Sequence, residues 1–355
     1  MVVALSCGGR VIETTNAEKP VPTGPLDKQC LRELRSWDAD ADGLVDSVVT
    51  YEYDERSNVT RWAVQYTPPS SQANRFATYT YDEEGQLLRQ EADDDGDGAV
   101  ESVELKFYDE QGFLLRTEET SPSVSTVTTY ENDTQGQVVR RTVESNIDTL
   151  NEIRSYQYDQ RGNLIRWTSK VPGNTSELIV ESTYDENDQV LVQLTLTSLS
   201  GAVTQYQRTT FRYDEQGRTV STIFVLGDQS GEHVDSATTI SYEENGTERA
   251  ATDYGGDGEP NQLVSRHFDE QGRLLKEEQD FDADGKLDEV STYVYDQHAE
   301  WVRLEVDAQS GGLDALTERS FDDEGRLVGY TSDIDGDGTW DDKWTTGYES
   351  LSCES

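Results

Sequence analysis

Four short stretches of the sequence place aspartates at alternate positions before a glycine, a spacing suited to binding a hard cation. They begin at Asp38, Asp93, Asp280 and Asp333, and the most regular are DADADGLVD and DFDADGKLD. Aspartates at positions 1, 3 and 5 let a short loop fold three carboxylates around one centre, and the glycine at position 6 permits a sharp reversal. Calcium, which takes about six to eight oxygen ligands, is the cation that such a loop favours.

Position 9 of each loop supplies a further oxygen ligand. The pattern is not that of an EF-hand, because Val49, Ser291 and Trp344 stand where a bidentate glutamate is expected, and no helical periodicity flanks the loops. We therefore predict Ca²⁺ bound in loops between strands, with a Kd of about 10⁻⁴–10⁻³ M, typical of extracellular sites. The predicted ligands are Asp38, Asp40, Asp42, Asp46, Asp93, Asp95, Asp97, Glu101, Asp280, Asp282, Asp284, Asp288, Asp333, Asp335, Asp337 and Asp341.

Two other stretches resemble these loops but offer fewer carboxylates. Gly255 replaces the second aspartate in the loop from Asp253, and the stretch DAQSGGLD from Asp307 keeps an aspartate only at its two ends. The alternative interpretation of all these loops is a solvated turn, in which Asp and Gly are common. A turn needs one Asp-Gly pair, however, whereas three aspartates at a spacing of two favour a cation site.

The elements that position the acidic loops are indicated by a second motif. Its clearest copies are YDEEGQLL from Tyr81, YDEQGRTV from Tyr213 and FDEQGRLL from Phe268. Eleven copies follow one another at steps of 24 to 29 residues, which is typical of a repeat protein. A β-branched, aromatic segment before each turn and an alternating segment after it predict a β-hairpin. The turn positions are Ser57, Gly85, Gly112, Gly136, Gly162, Asp188, Gly217, Gly246, Gly272, Ala299 and Gly325.

Hairpins joined in series predict an all-β fold. We expect an antiparallel meander of about 22 strands, two for each of the eleven motifs, curled as a spiral or as a closed large barrel or ring. An acidic loop starts 18 or 19 residues before the next turn position, so the loops and the YD turns lie at opposite ends of the strands. Because the turn needs a positive φ, we expect the copies with Ser57 and Ala299 to differ from those with glycine.

The phrase Tyr-Asp-x-x-Gly-Arg-Leu resembles the core motif of the Rhs/YD-repeat family, over roughly residues 45 to 330. Proteins of that family build long antiparallel β-ribbons that spiral into shells or decorate cell surfaces. The resemblance therefore implies a β-hairpin repeat fold. The period is longer here than is usual in the family, and the Asp-rich loops are not part of its pattern, so the resemblance does not extend to encapsulating a toxin.

Composition restricts the partners. Asp and Glu outnumber Lys and Arg by 72 to 29, which gives a formal net charge of −43, and only 33% of the residues are hydrophobic. A field this negative repels nucleic acid and anionic lipid, whereas calcium, basic proteins and neutral glycans remain as partners. Such a composition is typical of disorder, but aromatic residues recur at fixed positions, which indicates a folded sheet with a thin core.

The three cysteines lie near the two ends of the sequence. MVVALSCGGR resembles a bacterial lipobox around Cys7, so residues 1–27 are interpreted as a truncated signal segment and polar tether, and 28–355 as a single YD-type repeat domain. The resemblance implies lipidation of Cys7 and export to the outer-membrane surface or extracellular space of a Gram-negative bacterium. The alternative is an ordinary terminus with an unmodified cysteine. In an exported protein Cys30 and Cys353 are expected to pair, with a Cys7–Cys30 or an intermolecular bridge as alternatives.

The sequence carries no motif that predicts catalysis. His233, His267 and His298 form no metalloprotease or nucleophile motif, and no phosphate-binding fingerprint occurs, so we expect no enzymatic activity. The favoured function is a calcium-stabilised structural or adhesive scaffold at the cell surface that contacts copies of itself or other surface proteins. The first alternative is a polysaccharide-binding module that uses rows of aromatic side chains. A glycan-active enzyme with paired carboxylates is the second.

Overall fold

A computed structural model describes residues 30–39, 41–68, 70, 72–296, 300–308, 313–323 and 325–351, with backbone alone at 30–31 and 348–351. These residues form 24 β-strands and one 3-10 helix, Asp148–Leu150, and none of their helices is long and apolar enough to cross a membrane. The strands are β1 Cys30–Asp38, β2 Ser47–Tyr53, β3 Val59–Tyr66, β4 Arg75–Tyr81, β5 Leu87–Asp93, β6 Ser102–Tyr108, β7 Leu114–Thr120, β8 Ser125–Asn132, β9 Val138–Ser145, β10 Glu152–Tyr158, β11 Leu164–Lys170, β12 Ser176–Tyr184, β13 Val190–Leu199, β14 Ala202–Tyr213, β15 Thr219–Asp228, β16 Gly231–Tyr242, β17 Thr247–Tyr254, β18 Gln262–Phe268, β19 Leu274–Asp280, β20 Glu289–Tyr295, β21 Trp301–Asp307, β22 Ala315–Phe321, β23 Leu327–Asp333 and β24 Asp342–Leu351.

The strands form one antiparallel sheet of 24 strands. Strands that follow one another in the chain pair with each other, as β2 does with β3 and β4 with β5. The first strand, β1, also pairs with the last, β24, from Cys30 opposite Leu351 to Asp38 opposite Lys343. The predicted all-β meander is therefore confirmed, and of the two predicted forms it is the closed one.

Two strands beyond the expected 22 complete the sheet. The YD turns join β2 to β23 into eleven hairpins, one for each copy of the motif. β1 and β24 form a further antiparallel pair, whose strands are far apart in the sequence. They were not predicted because neither segment is joined to the other by a YD turn, and that turn was the signal by which the hairpins were found.

Contacts within the chain divide it into two compact units. The first contains Thr128–Arg266 and Gln279–Lys286; the second contains the described residues of Pro20–Val127, His267–Glu278 and Leu287–Ser355. Strands of 12 residues, β14 and β16, occur in the first unit. In the second unit β1 and β24 have 9 and 10 residues. That residues 28–355 act as a single domain stays a prediction.

The YD turns are organised by their aspartate. In the copy at Gly85, the carboxylate of Asp82 accepts hydrogen bonds from the main-chain N–H groups of Glu84 (3.0 Å) and Gln86 (2.7 Å). The N–H of Gly85 donates to the main-chain oxygen of Asp82 at 3.2 Å, with a φ of 86° at the glycine. The aspartate thus accepts hydrogen bonds from main-chain N–H groups that a tight turn leaves without partners.

The copy with serine adopts the same turn, so the expectation that it differs is wrong. Ser57 has a φ of 62°, and its N–H donates to the main-chain oxygen of Asp54 at 3.0 Å. The carboxylate of Asp54 accepts from the N–H groups of Arg56 and Asn58 at 2.9 and 2.8 Å. These bonds hold serine in a left-handed conformation that its Cβ disfavours. Ala299 lies outside the described residues.

The apolar core is thin, as predicted. Among the residues that the structure describes, twelve polar or charged ones are buried to the same degree as the apolar ones, and they include Glu33 and Asp93. Hydrogen bonds to these buried polar residues are therefore important, since buried polar groups without partners are costly. The buried apolar side chains that the structure describes are Tyr53, Val64, Ala77, Ala92, Val143, Val180 and Val225.

Candidate metal sites in the acidic loops

The first aspartate of an acidic loop is buried and organises the loop. Asp93 is 2% exposed, and its two carboxylate oxygens accept hydrogen bonds from the N–H groups of Gly96 (2.5 Å) and Gly98 (2.8 Å). Asp333 is 3% exposed and makes the corresponding bonds at 2.7 and 3.0 Å. Bonds from N–H groups to an ionised acceptor offset the cost of its burial.

Glycine at position 4 lets two of these loops lie against a neighbouring segment. A Cβ at Gly96 would overlap the main-chain oxygen of Asn74, and a Cβ at Gly336 would overlap that of Leu313. Gly98, at position 6, has open space around it and a φ of 91°, so it is required for its backbone conformation alone. The two glycines of a loop are therefore required for different reasons, the first for close packing and the second for its backbone conformation.

The loops from Asp38 and Asp280 carry alanine at position 4 and are bonded differently. Ala41 and Ala283 have φ values of 52° and 55°. The Oδ1 atom of Asp280 accepts from the N–H of Asp284 at 3.1 Å rather than from position 4. Oδ1 of Asp38 is buried and has no hydrogen-bond partner among the described residues.

The residue at position 9 closes the loop on itself. Glu101 accepts a hydrogen bond of 2.8 Å from the N–H of Asp94, and Asp341 accepts one of 2.7 Å from Ile334. Asp46 makes the same bond in the first loop, also at 2.8 Å. In each case the bond engages one oxygen of the carboxylate, so a cation would bind through the other.

In the part of the chain that the structure describes, three groups of carboxylates converge closely enough to hold one ion each. Within each group the ligand oxygens lie no more than 4.8 Å from one another. Most of the predicted ligands of the loops from Asp93, Asp280 and Asp333 are thus brought together, in clusters that could bind a metal ion. The groups are Asp93, Asp95, Asp97 and Glu101; Asp280, Asp282 and Asp288; and Asp333, Asp335 and Asp341.

Asp284 and Asp337, at position 5 of their loops, lie outside these groups and act in the turn. Asp284 accepts hydrogen bonds from the side chain of Lys286 at 2.6 Å and from its N–H at 2.8 Å. Asp337 accepts from the hydroxyl of Thr339 at 2.5 Å and from its N–H at 2.7 Å. The Lys286 side chain lowers the pKa of the Asp284 carboxyl, and the Thr339 hydroxyl lowers that of Asp337.

The first loop is only partly described. Asp40 lies outside the described residues, and Asp38, Asp42 and Asp46 form no group of three among the residues that the structure describes. The carboxyl of Asp42 accepts the N–H of Leu44 at 2.7 Å, the same turn role as position 5 has elsewhere.

The loop from Asp253 shows that this scaffold can form with fewer carboxylates. Asp253 accepts from the N–H groups of Gly256 and Gly258 at 3.0 and 2.8 Å, and Asn261 takes the closing role at position 9. The aspartate at position 1 and the glycine at position 6 are therefore explained by turn structure. What distinguishes the other loops is a carboxylate at position 3, and a carboxylate in place of the amide at position 9.

The tyrosine of the YD motif has a role that was not predicted. The hydroxyl of Tyr81 donates to the main-chain oxygen of Val59 at 2.8 Å, two residues after the preceding turn position. The signal in the sequence was the fixed offset between each tyrosine and the previous turn position. Equivalent bonds of 2.7 to 3.0 Å are made by Tyr108, Tyr158, Tyr184, Tyr213, Tyr242 and Tyr295.

Side chains that follow the turn glycine also connect neighbouring turns. The side-chain amide of Gln86 donates to the main-chain oxygen of Gly112 at 2.8 Å. Gln189 donates in the same way to Gly217 at 2.7 Å. Each such turn is thereby bonded to the next one along the sheet edge.

The predicted disulfide and lipid anchor stay predictions. The backbone of Cys30 lies opposite that of Leu351, two residues before Cys353 in the sequence. Cys353 and Cys7 lie outside the described residues.

Comparisons with known proteins define no family for this chain. No protein-family model matches it, and no curated protein does. It is similar to a TcdB2-TccC3-Cdc42 crystal structure (15% identity, TM-score 0.28, covering 87% of this chain and 20% of that one). A TcdB2-TccC3 structure without its hypervariable C-terminal region matches at 15% identity and a TM-score of 0.27, covering 84% of this chain and 19% of that one. A porin-like protein from Bacteroides uniformis matches at 13% identity and a TM-score of 0.26, covering 92% and 99%.

The chain spans about a fifth of the length of the two TcdB2-TccC3 chains. At these TM-scores the similarities support no functional assignment. The resemblance to the Rhs/YD-repeat family rests on the repeated motif, and the antiparallel hairpin fold that it implied is confirmed.

Proposed function

We propose that this protein is a non-enzymatic, exported scaffold of the cell surface, structural or adhesive, whose closed sheet is stabilised by calcium in the acidic loops. The observation that carries the proposal is the group of Asp93, Asp95, Asp97 and Glu101, whose ligand oxygens lie within 4.8 Å of one another. Like charges this close repel each other, most strongly where burial removes water, and a divalent cation would turn the repulsion into attraction.

Calcium fits these groups better than magnesium does. The ligands are carboxylate oxygens on short loops, and Ca²⁺ accepts irregular arrangements of oxygens, whereas Mg²⁺ demands near-octahedral geometry and retains water. Main-chain N–H groups bond to Asp93 and to Asp333 and hold each loop in shape, so the ion would bind to a loop that is already folded. Low-affinity sites of this kind are filled where calcium is millimolar, which is outside the cell.

The non-enzymatic part of the proposal is supported by the even distribution of interactions. Catalysis by carboxylates needs one environment that tunes a pKa for proton transfer. Here the same turn bonds recur along the sheet, as at Asp82 and Asp159. At Asp159 the bond from the N–H of Asn163 lowers the pKa of the carboxyl. Anchoring through Cys7 and a place at the outer-membrane surface belong to the proposal on the basis of the sequence alone.

The polysaccharide-binding alternative has less support, because several aromatic faces are already covered. The guanidinium of Arg319 lies 4.4 Å from the ring centroid of Trp301, and that of Arg154 lies 5.5 Å from Trp167. Trp344 stacks on a neighbouring tyrosine with its centroid 6.0 Å away. A sugar would have to displace these contacts before it could stack on the rings.

Thermal unfolding of the full chain in chelator, in calcium and in magnesium tests the proposal. A site with a Kd of about 1 mM contributes about 1.4 kcal/mol at 10 mM calcium, so the three groups together would contribute about 4 kcal/mol. We expect calcium to raise the Tm more than magnesium does. Equal shifts with both ions, or no shift, would contradict a calcium-stabilised scaffold.

Self-assembly is tested separately from calcium binding. Sedimentation velocity of the full chain at two protein concentrations, with and without calcium, reports association directly. A calcium-dependent rise in sedimentation coefficient with concentration supports a scaffold that contacts its own copies. A monomer under all four conditions would restrict the adhesive role to other partners.

A further inference from the structure

A polar cavity of about 410 Å³ lies between two neighbouring YD turns of the first compact unit, the turn after β8 and the turn after β10. The ladder between β9 and β10 ends at Ser155 opposite Arg140, so the two hairpins separate toward their turns. The Tyr158 hydroxyl crosses this gap to the main-chain oxygen of Val138 at 2.9 Å. The space that remains falls within the range of small-molecule sites, about 300–1,000 Å³.

The third position of the turn, counted from its aspartate, connects neighbouring turns elsewhere but not at this cavity. In the turn after β10 this residue is Arg161, whose guanidinium donates to the main-chain oxygens of Asp185 and Glu186 in the next turn at 2.7 and 3.0 Å. Arg56 bonds to the next turn in the same way. In the turn after β8 the residue is Gln135, whose shorter side chain has no hydrogen-bond partner among the described residues. The gap beside Gln135 is therefore left open to a ligand.

Side-chain amides and a carboxylate give the cavity its chemical character. Three of the glutamines that line it have amides without a hydrogen-bond partner among the described residues: Gln135, Gln157 and Gln160. A fourth, Gln137, is held by a 3.1 Å bond from its amide nitrogen to the main-chain oxygen of Gly162. Asp133 uses Oδ1 for its turn, where it accepts two N–H groups at 2.8 and 2.9 Å, so Oδ2 is left as an acceptor. A ligand in this cavity would therefore meet both donors and acceptors.

A neutral saccharide fits this lining better than an ion or an apolar molecule does. Neighbouring hydroxyl groups both donate and accept hydrogen bonds, as amide side chains do. The half-buried Val139 and Tyr156 add apolar surface for the C–H face of a sugar ring. The lining has two carboxylates and no basic side chain, so it repels anions, and two carboxylates are too few for calcium. An apolar ligand would remove the amides from water without giving them partners.

We propose that the cavity between the turns from Asp133 and Asp159 binds a neutral saccharide unit. This inference goes beyond the proposed function and needs no calcium, because no acidic loop contributes to the cavity. It also differs from binding by rows of aromatic side chains, since the hydrogen bonds come from the glutamines of two turns. Such a site would give a surface scaffold a defined ligand, a neutral glycan.

An array of neutral oligosaccharides built from glucose, galactose, mannose and N-acetylglucosamine, with sulfated and sialylated glycans beside them, tests the site with the full chain in a buffer that contains calcium. Titration calorimetry then measures the affinity for a glycan that binds. We expect a neutral glycan to bind, and Gln135→Arg to reduce its binding below detection, because the arginine would cross to the next turn as Arg161 does and fill the cavity. Gln160→Ala should weaken binding about fivefold, the effect of one hydrogen bond.

The matched control is Gln111→Arg, which makes the same substitution at the same position of a turn outside the cavity. It should bind the glycan as the wild-type chain does. Thermal unfolding checks that each variant is folded, and the calcium-induced rise in Tm should be the same in all of them. Glycan binding and calcium stabilisation are thus read in separate measurements, so either one can fail without the other.

Three outcomes would overturn the inference. If the wild-type chain binds no neutral glycan, the cavity is not a saccharide site. Equal binding by the wild type, Gln135→Arg and Gln160→Ala would place the glycan elsewhere on the chain. Stronger binding of the sulfated or sialylated glycans would contradict the neutral class of ligand. Should Gln135→Arg fail to fold, Gln160→Ala decides alone, since Gln160 is exposed and its side chain has no partner among the described residues.

Discussion

The hydroxyl of Tyr81 donates a 2.8 Å hydrogen bond to the main-chain oxygen of Val59, where the ladder between β3 and β4 has already ended. The register of that pair stops at Arg61 opposite Thr78, so the tyrosine extends the connection between two hairpins toward the turn edge. A side chain therefore makes the bond that the main chain no longer makes. Its repetition explains why tyrosine precedes aspartate in so many copies of the motif.

Replacing Tyr81 by phenylalanine should lower the free energy of unfolding by about 1–2 kcal/mol, because the ring is kept while the Val59 oxygen loses its partner. Urea unfolding measures the difference. The matched control is Tyr254→Phe, since Tyr254 is 55% exposed and its hydroxyl bonds only to the side chain of Gln262. We expect the control to change stability by less than about 0.5 kcal/mol. Equal effects of the two variants would show that the Tyr81 hydroxyl adds nothing.

The tyrosine bonds also predict a loss of stability at high pH. Burial, assisted by the charges of Tyr79 and Asp54, raises the pKa of Tyr81 to about 12, and burial raises the pKa of Tyr108 and Tyr184 as well. An unfolded tyrosine ionises near pH 10, so between about pH 10 and 12 the unfolded chain binds fewer protons than the folded one. The contribution of these groups is therefore complete below about pH 10 and is lost as the pH rises toward 12.

Urea unfolding at several pH values from 8 to 12, with phenolate absorbance followed in parallel, measures this loss. Stability should be level up to about pH 10 and then fall, and Tyr81→Phe should fall less steeply than the wild-type chain. A decline that begins well below pH 10, or that is identical in the variant, would contradict a role for the Tyr81 proton.

Turn chemistry was the most predictable part of the fold. The spacing of Gly85 from its neighbours in the repeat predicted the hairpins, because a tight turn constrains both the aspartate and the residue of positive φ. The same reasoning failed at Ser57, where bonds to Asp54 override the preference of serine. Reasoning from turn motifs also failed to predict β1 and β24, because their pairing is a long-range contact that no local motif specifies.

The serine turn offers a stabilising substitution. Ser57→Gly should raise the free energy of unfolding by about 0.5–1 kcal/mol, because glycine adopts a φ of 62° without the clash of a Cβ. The reciprocal variant Gly85→Ser should lower it by a similar amount, since the nearest atom to a Cβ there lies 3.9 Å away and only the backbone conformation opposes it. Chemical denaturation of both variants against the wild type measures the pair. Destabilisation by Ser57→Gly would mean that the serine hydroxyl makes a compensating bond.

The positions of the acidic loops were predictable from the sequence, but the different roles of their aspartates were not. Asp93 and Asp95 look equivalent in the sequence, as alternate members of one pattern. In the folded loop Asp93 is buried and bonded to two glycine N–H groups, whereas Asp95 is exposed. The loop from Asp253 keeps the same turn bonds with Gly255 in place of that aspartate. Sequence spacing cannot separate a carboxylate that builds a turn from one that is left for an ion.

The different roles of Asp93 and Asp95 predict that variants at the two positions respond differently to calcium. Asp93→Asn should destabilise the chain even in chelator, by about 1–3 kcal/mol, because an amide nitrogen cannot accept one of the two N–H bonds and leaves a buried donor without a partner. Asp95→Asn should leave stability in chelator unchanged or slightly raised, since it removes a charge from a crowded group.

In 10 mM calcium, Asp95→Asn should lose about a third of the calcium-induced rise in Tm, the share of one site among three equal groups. Asp337→Asn is the matched control, because Asp337 lies at position 5 of its loop, outside the carboxylate groups, and bonds Thr339. It should keep the calcium response. Thermal melts of the variants in chelator and in calcium separate the two roles, and an undiminished calcium shift in Asp95→Asn would show that position 3 is not a ligand.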